Sequence, residues 1–292
     1  MKKKLLSSLA AAAAALLLAG CASAPMMASG PAPMAMAASA PRAAGKTEVL
    51  WLGQSSLRIT TPGGKVIMVD PWLQSNPKTP PEWKKLEALG KIDIILVSHA
   101  HFDHFADAVP LAKMHNVQVW GPAGLGQTMS TYGILPEAQA PRFGKGGTIL
   151  PFGPSGIKIT AVHAEHSSEL GWKDAAGHNV VLPGGEPVGF IIEMENGFKI
   201  YHMGDTGIFG DMKLIGDLYK PDVVMIPIGN HFVMGPQDAA IAARDMVRAK
   251  WAFPIHYGTT PQLRGTPAEF KAALGAAAGM MIDVNPGQKV DF

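Results

Sequence analysis

One cysteine, Cys21, is present among 292 residues, so no internal disulfide can form and the body of the chain offers neither a cysteine nucleophile nor a thiolate metal ligand. Aromatic residues are scarce at 7% and charged residues at 16%. No stripe of Lys or Arg interleaved with aromatic platforms occurs, which argues against nucleic acid as a partner. The formal net charge is only +2, from 25 basic and 23 acidic residues, and three lysines sit at positions 2 to 4. No long apolar run occurs either: the stretch from Leu5 to Ala19, at about fifteen residues, is short for a bilayer span. What the chain does have is 47% hydrophobic content over a length sufficient for one large or two small cores.

The start, Met1-Lys2-Lys3-Lys4 followed by the Leu5 to Ala19 stretch and then Gly20-Cys21, has a charged n-region, an apolar h-region and a small-residue cleavage site. Leu18-Ala19-Gly20-Cys21 resembles the bacterial lipoprotein signal, in which the cysteine becomes the lipid-bearing first residue. Residues 1–20 are therefore expected to be a lipoprotein signal peptide. Residues 21–45 are expected to be the lipidated cysteine and a tether of Ala, Pro, Met, Ser and Gly, too poor in periodic apolar residues to offset its ordering entropy. This places the protein in the bacterial cell envelope, held to the membrane through Cys21. By analogy, Ala22 points to the periplasmic face of the outer membrane.

Residues 46–292 form the expected catalytic domain. Short apolar runs alternate with Gly/Pro turns and with stretches at helical spacing, predicting a layered α/β fold. Strands are expected at 48–52, 56–60, 66–69, 92–97, 118–121, 157–162, 189–193, 199–203, 223–226 and 252–255. Helices are expected at 82–89, 106–115, 124–132, 236–249 and 267–277. Ser56 to Asp70 and Gly189 to Asp205 echo one another, each a β-hairpin ending in aspartate. The echo predicts two similar β-rich halves face to face, helices outside, and a cleft at the strand ends.

Residues 99 to 104 read His-Ala-His-Phe-Asp-His directly after the apolar run Ile92 to Val97. Packing does not call for three imidazoles and a carboxylate in six positions, whereas metal binding does. His99 and His101 can point at one ion from a loop leaving a strand, and Asp103 and His104 at a second beside it. Further ligands are expected after later apolar runs, and the sequence offers His166, Asp205 and His256.

With these residues in place, the chain resembles the metallo-β-lactamase superfamily. Within it, the likeness is to the branch of bacterial metal-dependent hydrolases related to ascorbate-6-phosphate lactonase and N-acylphosphatidylethanolamine phospholipase D. The likeness runs from about Val49 to Gly258. It also rests on Gly53-Gln54-Ser55-Ser56, Val69-Asp70-Pro71-Trp72, Pro227-Ile228-Gly229 and Met234-Gly235-Pro236. The resemblance implies a four-layer αββα sandwich built from two similar halves. It assigns His99, His101 and His166 to one metal, Asp103, His104 and His256 to a second, and Asp205 as a bridge. Two divalent ions are implied, Zn²⁺ first, with Mn²⁺ or Fe²⁺ also suited to imidazole and carboxylate ligands. The implied reaction is cleavage of an ester, lactone, amide or related bond of a small-molecule or lipid substrate by hydroxide held between the metals. The absence of a second-site cysteine, which some true β-lactamases use, disfavours antibiotic hydrolysis.

Asp70 is expected to orient a liganding imidazole. Asp103 and His231 are the catalytic candidates, His231 for substrate contact or leaving-group protonation. Val233 stands where relatives often carry threonine, which weakens any hydroxyl contact there. His115 and His178 are expected to face solvent, and His163 and His202 to pack beside the site. The segment 167–188 is expected to shape substrate choice. Competing readings are a phospholipase-D-like phosphodiesterase, a non-catalytic ligand-binding lipoprotein, and a mononuclear iron oxygenase, which usually needs only three ligands. Oligomeric state stays open.

Overall fold

In the run Val66-Ile67-Met68-Val69 every side chain is buried, and successive residues enter two different cores. A strand sends neighbours to opposite faces, so a run that is apolar at every position belongs to a sheet covered on both sides. The same alternation holds in Val49 to Leu52 and in Ile94 to Val97. Val223 to Ile226 alternates between the middle core and a third one. Three cores imply four layers.

The computed structural model describes residues 45–292, and the expected signal peptide and all but the last residue of the expected tether lie outside that range. The first sheet comprises β1 (Glu48–Trp51), β2 (Leu57–Thr60), β3 (Val66–Val69), β4 (Ile94–Leu96), β5 (Val119–Pro122), β6 (Arg142–Phe143) and the last strand, β15 (Lys289–Asp291). Their order is β15-β1-β2-β3-β4-β5-β6. The second sheet comprises β7 (Thr148–Ile149), β8 (Lys158–His163), β11 (Val188–Glu193), β12 (Lys199–His202), β13 (Val223–Pro227) and β14 (Trp251–Ile255), in the order β14-β13-β12-β11-β8-β7. A separate hairpin pairs β9 (Glu169–Lys173) with β10 (Asn179–Pro183).

Each sheet contains an antiparallel hairpin followed by two parallel strands. These are β2-β3 then β4 and β5 in the first, and β11-β12 then β13 and β14 in the second. The internal echo in the sequence is thus a repeat of topology. Helices α1 (Phe102–Phe105), α2 (Ala108–His115) and α3 (Ala123–Thr131) belong to the first half. Leu111 of α2 and Met129 of α3 pack with Met68 and Ile95 in one outer core. Helices α4 (Met212–Tyr219), α5 (Pro236–Ile241) and α6 (Pro267–Leu274) cover the second sheet, with Ile215, Ala240 and Phe270 against Tyr201 and Val224. Among the described residues, no helix is long and apolar enough to cross a membrane.

The structure corrects several expected elements. Residues 82–89 form two short 3-10 turns, Pro81–Trp83 and Leu86–Leu89, because Lys85 between them is extended. The helix expected at 106–115 is interrupted at Asp107, whose carboxylate accepts from the backbone N–H groups of Leu73 and Gln74. The helix expected at 236–249 passes into a π-helical turn, Ala242–Val247, and stops at a left-handed Arg248. Strands β6, β7, β9, β10 and β15 carry no period long enough to read from sequence.

Candidate metal centre

The parallel strands of both halves deliver their C-terminal loops to one place, the usual position for ligands in open α/β sheets. Asp70 follows β3, His99 and His101 follow β4, Asp205 follows β12 and His256 follows β14. His166 arrives on the loop after β8. The single turn of α1 carries Asp103 and His104. The loop from β12 comes close to the first half because Gly204 has φ +62, where a Cβ would stand 2.7 Å from that of Ser98. Gly229 is equally constrained, since a Cβ there would lie 2.3 Å from the carbonyl oxygen of His256.

Among the described residues, eight non-glycine positions have positive φ. Asn116, Lys220 and Arg248 end helices, where a left-handed residue is ordinary. The other five, Gln54, Asp70, Asn230, His231 and His256, lie on loops at the site end. Strained backbone is thereby concentrated where function is expected, and the surrounding packing holds it.

All seven expected ligands come together, in two groups. His99, His101 and His166 form one, and Asp103, His104, Asp205 and His256 the other, with the donor atoms inside each group within 4.8 Å of one another. Asp205 reaches both: it lies 2.9 Å from Nε2 of His256 and 3.2 Å from that of His104. It also lies 3.7 Å from Nε2 of His166 and 4.0 Å from Nε2 of His99.

Hydrogen bonds on the outer side of the rings set which nitrogens face inward. Nε2 of His101 donates to Glu169 at 3.0 Å, leaving Nδ1 bare. The Ser98 hydroxyl donates to Asp70 at 2.7 Å and so accepts from Nδ1 of His99 at 3.1 Å, leaving Nε2 of His99 bare. Those two lone pairs stand 3.0 Å apart, with Nε2 of His166 3.3 Å from the second. Lone pairs at that separation repel unless a cation lies among them. In the second group, Nδ1 of His104 donates to Asp70 at 2.8 Å, while its Nε2 and Oδ1 of Asp205, both buried, face one another at 3.2 Å without forming a hydrogen bond and have no other such partner among the described residues. Buried polar atoms left in this state are costly. The donor set therefore fits metal-ion binding, with three imidazoles in one group and two imidazoles and two carboxylates in the other.

The electrostatics divide along the same line. Burial, helped by the neighbouring His104, holds His99 well below its usual range, and burial also lowers His166, so both stay neutral and able to ligate. Burial likewise opposes charge on His104 and His256. There Asp205 and Asp103 outweigh it, holding His104 well above its ordinary value and raising His256 to about 9. Burial would raise Asp205 and Asp103, yet the adjoining imidazoles keep both well below the carboxylate range.

A cavity of about 380 Å³ opens over these groups, lined by His101, Asp103, His166, Asp205 and His256 together with Gln54, Ser167 and Thr260 and an apolar wall of Trp72, Phe102, Phe232 and Leu263. His231 is not on that lining: its ring is exposed and packs edge-on against Phe232 at 4.4 Å. His202 packs beside the site, donating from Nε2 to the Ser55 carbonyl at 3.1 Å and so joining the two halves. His163 is turned outward, to Glu165 and Lys145. His178 is exposed, but His115 is half-buried, its Nε2 enclosed without a partner, in contrast to the solvent-facing position expected. The 167–188 segment is a hairpin anchored in the first outer core by Leu170 and Leu182, with Glu169 at the cavity rim.

Sequence reasoning passed over three contributors. The Gln54 amide donates to Oδ2 of Asp103 at 2.7 Å and accepts from the Thr259 hydroxyl at 2.5 Å, and it lay within a segment already singled out. Ser98 immediately precedes the hexapeptide. Glu169 had no local signal.

The sequence pattern of the Beta-lactamase superfamily domain matches residues 65–257. The chain is 65% identical over 252 residues to a UPF0173 metal-dependent hydrolase of Cupriavidus necator, covering 85% of this chain and 87% of that protein. Among solved structures, Igni18, a metallo hydrolase from the archaeon Ignicoccus hospitalis, aligns with a TM-score of 0.71 at 29% identity, over 85% of this chain and 98% of its own. The metallo-beta-lactamase fold protein YhfI of Bacillus subtilis aligns with a TM-score of 0.61 at 14% identity, over 85% and 100%, a likeness of fold.

Proposed function

The chain belongs to the β-lactamase superfamily, among its metal-dependent hydrolases, and from that premise we propose that it cleaves a carbonyl ester, lactone or amide of a small molecule on the His/Asp floor of the 380 Å³ cavity. The observation that carries this reading is the convergence of the donor atoms in two adjoining groups, with Nε2 of His99 and Nδ1 of His101 bare and Nε2 of His104 and Oδ1 of Asp205 buried without a hydrogen bond. His99, His101 and His166 would hold one divalent ion, and Asp103, His104 and His256 a second, with Asp205 between them. Zn²⁺ suits this all-N/O set best, and Mn²⁺ or Fe²⁺ is compatible. When bound, such ions lower the pKa of water toward about 7 and polarise a carbonyl oxygen.

The chain's own residues orient and protect. Asp70, Ser98 and Glu169 fix the tautomers of His104, His99 and His101. Gln54 holds the Asp103 carboxylate from outside. The apolar wall limits water at the reacting centre. Water supplies the new acyl oxygen, the bond to the leaving group breaks, and a proton passes to that group. His231, exposed and edge-on to Phe232, is given no role in this chemistry.

Elemental analysis of the purified protein, run with an ester, lactone and amide panel, tests the reading. Two equivalents of metal and loss of activity in His101→Ala are expected. A single equivalent with full activity, or an active His101→Ala, contradicts it.

For residues 1–44 we infer envelope anchoring, supported by the Leu18-Ala19-Gly20-Cys21 segment and the composition that follows it. Cleavage before Cys21, acylation of its thiol and release of Cys21→Ala into the soluble fraction are expected. An unacylated mature N-terminus rejects the inference.

A further inference from the structure

Among the described residues, no lysine or arginine lines the cavity. A phosphoryl or carboxylate group away from the reacting centre would find no side-chain cation there. Lys78 lines a separate small cavity that shares only Gln54 with this one. The rim adds negative charge instead. The Glu169 side chain is 56% exposed and its carboxyl accepts from the His101 N–H and the Ser167 hydroxyl.

The wall is aromatic, although the chain is poor in aromatic residues. Phe102 and Phe232 remain 67% and 56% exposed, outside all three cores, and both line the cavity. Phe102 stands between His101 and Asp103, with Trp72 edge-on to it at 5.4 Å, so the turn that carries the acid also carries an apolar surface. Phe232 follows Asn230 and His231, with φ of 65° and 64°, so strained backbone in the other half presents the second ring. Apolar surface left in water is unfavourable, and a ligand that covers it recovers that free energy. Oγ1 of Thr260 is buried without a partner on the same lining, a neutral hydrogen-bonding group for a neutral ligand.

We propose that the site takes uncharged esters or lactones bearing an aromatic or alkyl group, which packs on Phe102 and Phe232 while the carbonyl lies over the His/Asp floor. This rests on the hydrolytic reading above. Water is the only co-reactant: its oxygen becomes the new acyl oxygen, the acyl C–O bond to the alkoxy oxygen breaks, and that oxygen takes a proton.

The test uses the full-length, metal-loaded protein and matched probes: γ-phenyl-γ-butyrolactone against γ-butyrolactone, and p-nitrophenyl butyrate against bis(p-nitrophenyl) phosphate. A preference of about tenfold or more in kcat/KM for the phenyl lactone is expected, as is a preference for the carboxylic ester over the phosphodiester. In Phe102→Ala or Phe232→Ala the lactone preference should fall about tenfold, equivalent to about 1.4 kcal/mol, mainly through KM. Phe102→Leu, which keeps apolar bulk beside Asp103, should retain most of it. Preference for the phosphodiester, or a lactone ratio that neither Ala substitution changes, overturns the proposal.

Binding of 4-phenyl-2-butanone, an unreactive neutral ketone, to metal-stripped protein by calorimetry separates the two readings. If no probe is hydrolysed but the ketone binds and Phe232→Ala weakens it about tenfold, the pocket assignment stands and the reaction assignment falls. If the ketone fails to bind, the pocket assignment falls.

Discussion

Asp70 accepts a hydrogen bond from Nδ1 of His104 at 2.8 Å, with both side chains fully buried. Asp70 follows β3, and His104 is carried on α1 after the neighbouring parallel strand β4. Asp70 also accepts from the Ser98 backbone N–H and hydroxyl, each at 2.7 Å, so one carboxylate steers both His104 and, through Ser98, His99. Replacing Asp70 by Asn keeps the shape but weakens the grip on both rings. Metal affinity is expected to fall about 10- to 100-fold, the usual effect of losing such a partner. Competition with a coloured chelator measures this, and unchanged affinity would show the pair to be idle.

Gln54 is the buried clamp between Thr259 and Asp103. Gln54→Leu leaves the Asp103 carboxylate and the Thr259 hydroxyl without their partner, a loss of about 1–3 kcal/mol. For a domain of this size that corresponds to a fall in Tm of about 2 to 12 °C. Thermal unfolding of metal-loaded protein reads it, and a Tm within a degree of the parent contradicts the assignment.

The metal-stripped protein should respond to pH in a defined direction. His104 is held well above its ordinary value and His256 is raised to about 9, against the ordinary 6.5, by carboxylates that overcome burial. A raised folded-state value means that the folded protein binds the proton more tightly than the unfolded chain. The resulting stability is fully present below about 6.5 and is lost as pH rises through about 9. The depressed Asp103 and Asp205 contribute above their ordinary 3.8 and lose that contribution as pH falls toward their folded values. Tm of the stripped protein is therefore expected to decline from pH 6.5 to 9, whereas protein whose metals replace those protons should not decline. Scans with and without chelator decide this, and parallel curves would refute it.

Gly204 sets the approach of the two halves. Gly204→Ala puts a methyl group 2.7 Å from Cβ of Ser98 on backbone with φ +62. The loop carrying Asp205 must then withdraw, at a cost of about 1–3 kcal/mol. Metal bound should drop together with Tm. A fully loaded Gly204→Ala protein would show that the close approach is not required.

Much of this arrangement is legible in the chain. Strand β3 falls on the expected residues 66–69, because a four-residue apolar run between turns has few alternatives. The hexapeptide separates into His99/His101 and Asp103/His104, because the chain turns into helix α1 after His101. Other features depend on partners distant in sequence. Glu169 meets His101 across 68 positions, and Gln54 meets His256 across 202. The 82–89 stretch looks helical in composition, but its extended Lys85 divides it into two turns.

Local spacing and alternation were sufficient to determine the layered class, the two matching halves and the four ligand-type side chains of the hexapeptide, since period and local spacing are properties of neighbouring residues, whereas the resemblance was needed to join His166, Asp205 and His256 to them. Only the folded chain decided which nitrogen of each ring faces the centre, which carboxylate steers it, and that Phe232 rather than His231 faces the cavity. Those outcomes depend on hydrogen bonds and close approaches between segments that meet when the two sheets pack together.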